Sequence, residues 1–144
     1  MKLFQIEEPD GAPVDSDGHG AAVGIDVGAP EGAAVAIAVG GNAEILPGDT
    51  GERRLMTPGL APRGRLDERE LGALLRDLRG RAERQLQRPV THAVIAAAPF
   101  DELVLAKAAE AAGLEVLRLM ARLGSGDEAV LAAAVLAEDL APAP

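Results

Sequence analysis

Short apolar runs separated by turns rich in glycine and proline occupy the first part of the chain after residue 20. The clearest are residues 21–27 and 33–39, and the shorter runs 44–46 and 53–56 follow them. Apolar runs of this length, bounded by Gly and Pro, predict β-strands joined by tight turns. We therefore expect an antiparallel β-meander over this region.

The hydrophobic pattern becomes helical after Asp67. Apolar residues then recur at steps of three and four, which places them on one face of an α-helix. These residues are Leu71, Leu74, Leu75, Leu78, Ala82 and Leu86. Asp67 with Glu70 resembles a capping box, and Pro89 is expected to end the helix.

More strands and helices are predicted beyond Pro89. Residues 91–98 form a continuous apolar run, which is typical of a parallel strand covered on both faces. The pattern then predicts a helix over 101–112 that is closed by Gly113. A further strand over 114–120 and a last helix over 126–140 complete the series.

The predicted elements form one α/β domain. Ser125 and Glu128 can cap the last helix, and the element order is βββαβαβα. Two right-handed crossovers after a meander give a five-stranded mixed sheet, and this order resembles the complete core of the ribonuclease H-like fold. Residues 21–140 are expected to form this domain. Residues 1–20, with five acids, are expected to be a mobile acidic arm, and residues 141–144 a tail.

Composition argues against several classes of function. The 144 residues include 14 Lys and Arg against 23 Asp and Glu, and a formal net charge of −9 argues against a general nucleic-acid binder. Only Phe4 and Phe100 are aromatic, so bases cannot stack on an aromatic platform. The chain has no cysteine, which excludes disulfides and cysteine-ligated zinc. His19 and His92 alone cannot build a metal cluster.

One stretch departs from the acidic balance. Residues 52–88 hold ten arginines against six acids, a local charge of +4. Because Arg and Glu alternate there, we interpret the stretch as a solvated helix face rather than a binding patch.

The sequence predicts neither a membrane span nor a secretory signal. The longest apolar runs, such as residues 93–100, fall short of the ~20 residues that a span needs. Glu7, Glu8 and Asp10 come too early for the apolar core of a signal peptide. We expect a cytoplasmic protein without a membrane partner.

Three stretches of the chain resemble a known family. Residues 23–28 read VGIDVG, and residues 43–53 read AEILPGDTGER. The third stretch, 66–120, includes PVTHAVI at 89–95 and AGLEVLRL at 112–119. In this order they are similar to the N-terminal lobe of the nucleotide-binding domain of the DnaK-like chaperones, the seventy-kilodalton heat-shock protein family. The resemblance implies one lobe of an actin-like ATPase fold.

The resemblance also implies a vestigial phosphate-binding loop at the end of the first strand. Its residues are Gly24, Asp26 and Gly28. In the family, the carboxylate that matches Asp26 helps to position magnesium, usually through water. Asp26 is therefore the one metal-binding candidate that the resemblance supplies.

The turn after this strand departs from the family's pattern. Ala29 and Pro30 stand where the family has two hydroxyl residues, and Glu31 adds a negative charge. Proline has no N–H to donate, and an anion repels phosphate. The family's catalytic lysine has no counterpart, because no Lys occurs between Lys2 and Lys107. We expect no catalytic residues, no cofactor, and Mg-ATP binding that is weak at best.

The favoured hypothesis is a DnaK-like lobe that acts without ATP turnover as a binding or regulatory module. Its partner would be an unknown protein or a second copy of the chain. Without a second lobe, we expect an apolar face on the last helix to be left open for such contacts. The residues expected there are Val130, Leu131, Ala134 and Val135.

Two alternatives remain open at this point. In the first, the vestigial loop still binds ATP, and a partner protein completes the site of a chaperone component. In the second, the chain is a Mg-dependent ribonuclease H-like nuclease or resolvase, in which Asp26, Asp101 and either Asp127 or Glu128 hold the ion. Asp101, Asp127 and Glu128 also suit the starts of helices, where the helix dipole favours acids.

Overall fold

Over the residues that it describes, a computed structural model gives an α/β domain with one five-stranded, mixed, open sheet and three helices. It describes residues 20–27, 32–48, 50–55, 68–97, 102–121 and 127–141. The strands are β1 (Ala21–Asp26), β2 (Ala34–Val39), β3 (Asn42–Ile45), β4 (Val90–Ala97) and β5 (Glu115–Ala121). The helices are α1 (Glu68–Leu86), α2 (Glu102–Ala111) and α3 (Glu128–Leu140).

The strands lie in the order β3-β2-β1-β4-β5. β1, β2 and β3 pair antiparallel, which confirms the predicted meander. β4 lies parallel to both of its neighbours, β1 and β5, and seven of its eight residues are buried. This confirms the prediction of a parallel strand covered on both faces. The carboxyl ends of β1, β4 and β5 therefore share one edge of the sheet, where the candidate residue Asp26 lies.

Helices α1 and α2 cover one face of the sheet with large side chains. Ile25 and Ile95 lie in neighbouring strands, pair in register and are fully buried against the leucines of α1, among them Leu71 and Leu75. The predicted leucine face of this helix is thus the one that packs on the sheet. Burying one such side chain contributes about 2 kcal/mol.

Helix α3 covers the opposite face, which is built from small residues. Ala36 and Val94 are fully buried beneath it, and Gly24 of β1 pairs with both of them across the sheet. A Cβ added at Gly24 would lie 2.6 Å from the carbonyl carbon of Ala133 and would overlap the backbone nitrogen of Ala134. The helix backbone therefore packs directly on the strand, and only glycine fits at residue 24. Side chains alternate along a strand, so Asp26 faces α3 as Gly24 does.

This packing corrects one expectation. Val130 and Ala134, expected on an open face, are fully buried against β2 and β3 of the same chain, and Leu131 and Val135 are partly buried there. A helix this rich in alanine can pack closely on a sheet face made of small residues. The apolar side of α3 is therefore buried within the domain and does not form an open surface.

Two local predictions are also wrong. Within the described part of 53–56, Leu55 forms a single antiparallel bridge with Ala33, through hydrogen bonds of 2.7 and 2.9 Å, instead of a strand. The last helix begins at Glu128, and its N-cap residue Asp127 makes no side-chain capping hydrogen bond. The reason is that the Asp127 carboxylate is bound by arginines instead. Ser125, the predicted cap, lies outside the described residues.

The glycines of the β2–β3 turn are tied to the end of α3. Gly40 and Gly41 have φ values of 62° and 85°, which suit a tight hairpin turn. Their backbone N–H groups donate to the carboxylate of Glu138, at 2.6 and 2.9 Å. The side chain of Glu138 thus fixes the tip of the hairpin, although it lies 98 and 97 positions from the two glycines in sequence.

Several predicted features fall outside the described residues. They include residues 1–19 of the expected arm, the last three residues of the tail, Gly28 with residues 29–31, and Asp101. In the part of the chain that is described, no helix is long and apolar enough to cross a membrane.

Candidate functional site

Asp26 ends β1 in the middle of the sheet and is fully buried. Its neighbours across the strands are Ala34 in β2 and Ala96 in β4, neither of which offers a polar side chain. An ionised carboxylate in such surroundings is destabilising unless a positive or hydrogen-bonding group lies beside it. The question at this site is therefore which cation accompanies Asp26.

The cation is the guanidinium of Arg54. Its Nη1 lies 3.5 Å from Oδ2 of Asp26 and donates a 2.7 Å hydrogen bond to the carbonyl oxygen of Gly32. Its Nη2 donates a 2.9 Å hydrogen bond to Oδ1 of Asp127, at the start of α3. Only 12% of the Arg54 side chain is exposed. One arginine therefore joins the end of β1, the chain just before β2 and the N-terminus of α3.

A second arginine completes the cluster at the surface. Arg53 Nη2 lies 2.8 Å from the other Asp127 oxygen, Oδ2, and 62% of the Arg53 side chain is exposed. The hydrogen bond from Arg54 is the main reason why the pKa of Asp127 is lowered from its ordinary value. The formal charges of Arg53, Arg54, Asp26 and Asp127 sum to zero.

The carboxylates of this cluster already have a cation that the protein supplies. Mg²⁺ takes carboxylate oxygens as ligands, and among the described residues Arg54 binds those of Asp26 and Asp127. Because the guanidinium already binds both, a metal ion there would meet a positive charge. Across the described ranges there is no group of three His, Asp or Glu residues that could hold a metal.

The structure thus brings together two residues of the predicted nuclease site, Asp26 and Asp127, at an arginine. Gly24, the other described residue of the predicted phosphate loop, lies beneath α3 and not at this cluster. Gly28, the third predicted loop residue, lies outside the described residues. The sequence analysis did not identify Arg54 as a site residue. The available signal was the adjacent pair Arg53 and Arg54, which directly follows a hairpin in an acidic chain.

The turn that follows β3, which contains Glu52, is fixed to α1. Arg81 of α1 is 5% exposed, and its Nη2 lies 3.1 Å from Oε2 of Glu52. The Thr50 hydroxyl donates to the same carboxylate, and this bond is the largest cause of the lowered pKa of Glu52. Gln85 donates to the carbonyl oxygen of Pro47 at 3.0 Å. Local structure therefore accounts for the two polar side chains of this turn that the structure describes, those of Thr50 and Glu52.

The arginine stretch is only partly a solvated face. Arg79 donates to the carbonyl oxygens of Val90 and Ala112, at 2.8 and 2.9 Å. Together with Arg54 and Arg81, it binds carbonyls or carboxylates within the fold, so the interpretation of the whole stretch as solvated is wrong for these three residues. Arginines bury well when their donors are matched in this way.

Both ring nitrogens of His92 lie close to groups of the protein itself. It is 7% exposed in β4, its Nδ1 lies 2.7 Å from the Thr91 hydroxyl, and its Nε2 lies 3.6 Å from Glu115. A shallow groove passes this group between the end of α2 and the start of β5.

Comparisons with known proteins identify no family for the chain: no protein-family model matches it, and no curated protein matches it significantly.

Proposed function

We propose that this chain corresponds to one lobe of a DnaK-like chaperone-related protein and acts as a binding or regulatory module without ATP turnover. We further propose that its sheet and helices belong to the ribonuclease H-like class. An antiparallel meander followed by two parallel strands supports that class, since it is the arrangement that the resemblance implies. A protein partner or a second copy of the chain, in the cytoplasm, is part of the same proposal.

The observation that carries the proposal is the ion pair between Arg54 and Asp26. Phosphoryl transfer depends on cations and donors placed around the transferring group. Here the buried carboxylate that would orient magnesium has its counter-charge supplied by the protein. We therefore propose a site in which an arginine has replaced the catalytic cation. This proposal is favoured over residual ATP binding and over metal-dependent nuclease activity.

Isothermal titration of the full chain with Mg-ATP tests the proposal. We expect no binding tighter than about millimolar, that is, a binding free energy no more favourable than about −4 kcal/mol. Binding of one ATP per chain with a micromolar dissociation constant would contradict the proposal. If the Asp26→Asn variant then failed to bind ATP, the residual-ATP alternative would be established. Mg²⁺-dependent cleavage of branched DNA that disappears in Asp26→Asn would establish the nuclease alternative.

Self-association is measured separately, by light scattering over a range of concentrations. A dimer mass would assign the second copy as the partner. A monomer mass would assign the binding role to a different protein.

A further inference from the structure

Strand β5 lies at one end of the sheet, with β4 on its inner side. Among the described residues no strand pairs with its outer side, so a row of backbone N–H and C=O groups faces outward there. None of its seven residues is buried, whereas seven of the eight residues of β4 are. A sheet edge of this kind is a template for pairing with a strand of another molecule.

The edge at the other end of the sheet is protected against such pairing. β3 has only four residues, and Asn42 and Glu44 are exposed in it. The turn that leads into β3 is tied to α3 through Glu138. Short and polar edge strands are a usual defence against pairing between molecules. β5 is longer and carries four half-buried apolar side chains, those of Val116, Leu117, Leu119 and Met120.

An extra residue in β5 places its two charged side chains on the same side of the sheet. Glu115 and Arg118 pair with His92 and Val94 of β4, so β5 has two residues between them where β4 has one. Residues two apart in a strand face the same side of the sheet, and Glu115 and Arg118 therefore do so as well. Both are exposed, and 75% of the Glu115 side chain is open to solvent.

This side of β5 also carries apolar surface that α3 covers only in part. Val94 faces α3, so the two charged side chains lie on the α3 side of the sheet. Leu117 and Met120 of β5 pack there with Leu136 and Leu140 of α3, and each of these four is half-buried. Since Leu117 and Met120 belong to the edge strand, a strand added beside β5 would cover the apolar surface that they leave exposed.

The charges and the extra residue select a second copy of the chain as the occupant. When two identical strands pair antiparallel about a two-fold axis, their contacts are reciprocal. With the axis midway between Glu115 and Arg118, each glutamate lies opposite the arginine of the other copy, and unlike charges at opposed positions stabilise a sheet. Both strands then have two residues between these charges, so the extra residue of one strand is matched by that of the other. An extended peptide without the extra residue offers no such match.

We propose that β5 pairs antiparallel with β5 of a second copy, so that the two sheets become one continuous sheet across a homodimer. The pairing specifies the partner of the proposed binding module, and to that extent it rests on the proposed function. The two fail separately. A monomer that binds no ATP would overturn the pairing and leave the proposed function standing, whereas a dimer with micromolar affinity for ATP would do the reverse.

Charge variants of the full chain test the pairing by sedimentation velocity over a range of protein concentrations. Wild type should sediment as a dimer. Glu115→Arg alone, or Arg118→Glu alone, places like charges opposite each other at two positions of the dimer and should raise its dissociation constant about tenfold. An equimolar mixture of these two variants should recover the wild-type association, because unlike charges then face each other at both positions.

Matched variants on α1 control for net charge. Asp77→Arg and Arg76→Glu make the same changes of charge at exposed positions of that helix and should leave the dimer unchanged. Wild type gives an independent measurement, since amide hydrogen exchange should slow in β5, and not in β3, as the concentration rises. A wild type that is monomeric at every concentration would overturn the proposal. So would single variants that associate as wild type does, or a mixture of folded variants that recovers no association.

Circular dichroism of each variant shows whether it is folded before its mass is interpreted. If a β5 variant does not fold, the exchange measurement on wild type decides. Equal exchange rates in β5 at low and high concentration would overturn the pairing.

Discussion

Arg54 supplies the positive charge for Asp26, a fully buried carboxylate whose Oδ2 lies 3.5 Å from the guanidinium Nη1. The two residues are 28 positions apart and meet because the segment after β3 returns to the start of β2, beside the end of β1, at the bridge between Leu55 and Ala33. The end of β1 is held by this pair and not by the strand alone.

Arg54→Ala should therefore destabilise the fold. Removal of Arg54 takes away the cation that lies beside the fully buried carboxylate of Asp26, and we expect the free energy of unfolding to fall by about 3 kcal/mol in chemical denaturation. Arg53→Ala is the control, because Arg53 is 62% exposed and its loss should change the same free energy by less than about 1 kcal/mol. Equal effects of the two substitutions would show that Arg54 is not the counter-charge.

The same substitution should create a response to divalent metal. In Arg54→Ala, the carboxylates of Asp26 and Asp127 lose their common cation, and Mn²⁺ can take its place. We expect added Mn²⁺ to raise the Tm of this variant, since a ligand that binds only the folded state stabilises it. Wild-type protein and the double variant Asp26→Asn with Arg54→Ala should show no such rise. A rise in wild type would mean that the guanidinium does not exclude the metal.

Stability should fall in acid because of Asp127. Its pKa is lowered in the folded state, chiefly by the hydrogen bond from Arg54, from an ordinary value of 3.8. A lowered carboxyl pKa contributes stability that is present above the unfolded-state pKa and is lost as the pH falls through the folded-state pKa. Unfolding free energies measured between about pH 6 and pH 3 should therefore decrease. The decrease should be smaller in Asp127→Asn, and an identical pH profile in that variant would refute this assignment. Glu52→Gln should be measured in parallel, because the pKa of Glu52 is lowered too.

The same change, glycine to alanine, should have opposite effects at two positions. At Gly24 the new methyl group would overlap the backbone of α3, so we expect destabilisation of about 3 kcal/mol. At Gly72, within α1, the nearest atom to an added Cβ is the carbonyl oxygen of Ala108 at 3.6 Å, an ordinary contact. Alanine is the better helix former, so Gly72→Ala should stabilise the protein by about 0.5–1 kcal/mol. Thermal unfolding of both variants checks the signs, and a neutral Gly24→Ala would contradict the close packing of α3.

Arg79→Lys should be more damaging than Arg76→Lys, although both changes keep the charge. The Arg79 guanidinium donates to two carbonyl oxygens, those of Val90 and Ala112, and a single ammonium cannot reproduce this geometry. We expect a loss of about 1–2 kcal/mol in the unfolding free energy for Arg79→Lys. Arg76 lies on the exposed side of the same helix, so Arg76→Lys should be within about 0.5 kcal/mol of wild type. Equal stabilities of the two variants would show that the paired hydrogen bonds contribute little.

Periodicity was sufficient for the regular elements but not for the site. The leucines of α1 and the apolar run of β4 were predictable because burial on one face or both leaves a period that can be read locally. Asp26 was identified at the end of its strand by the family resemblance. Arg54 was not, because its role depends on a contact with Asp127 across 73 positions. The burial of Val130 was missed for a similar reason, since an apolar helix side does not indicate which sheet face covers it.

The link between Glu138 and the hairpin glycines has a consequence for how the domain opens. Since the tip of β2–β3 is held by the far end of α3, fraying of that helix end removes the acceptor for two amide hydrogens at Gly40 and Gly41. Hydrogen exchange at the hairpin tip should then report on the integrity of the last helical turn, so that the outer edge of the sheet and the end of the helix open as one cooperative unit.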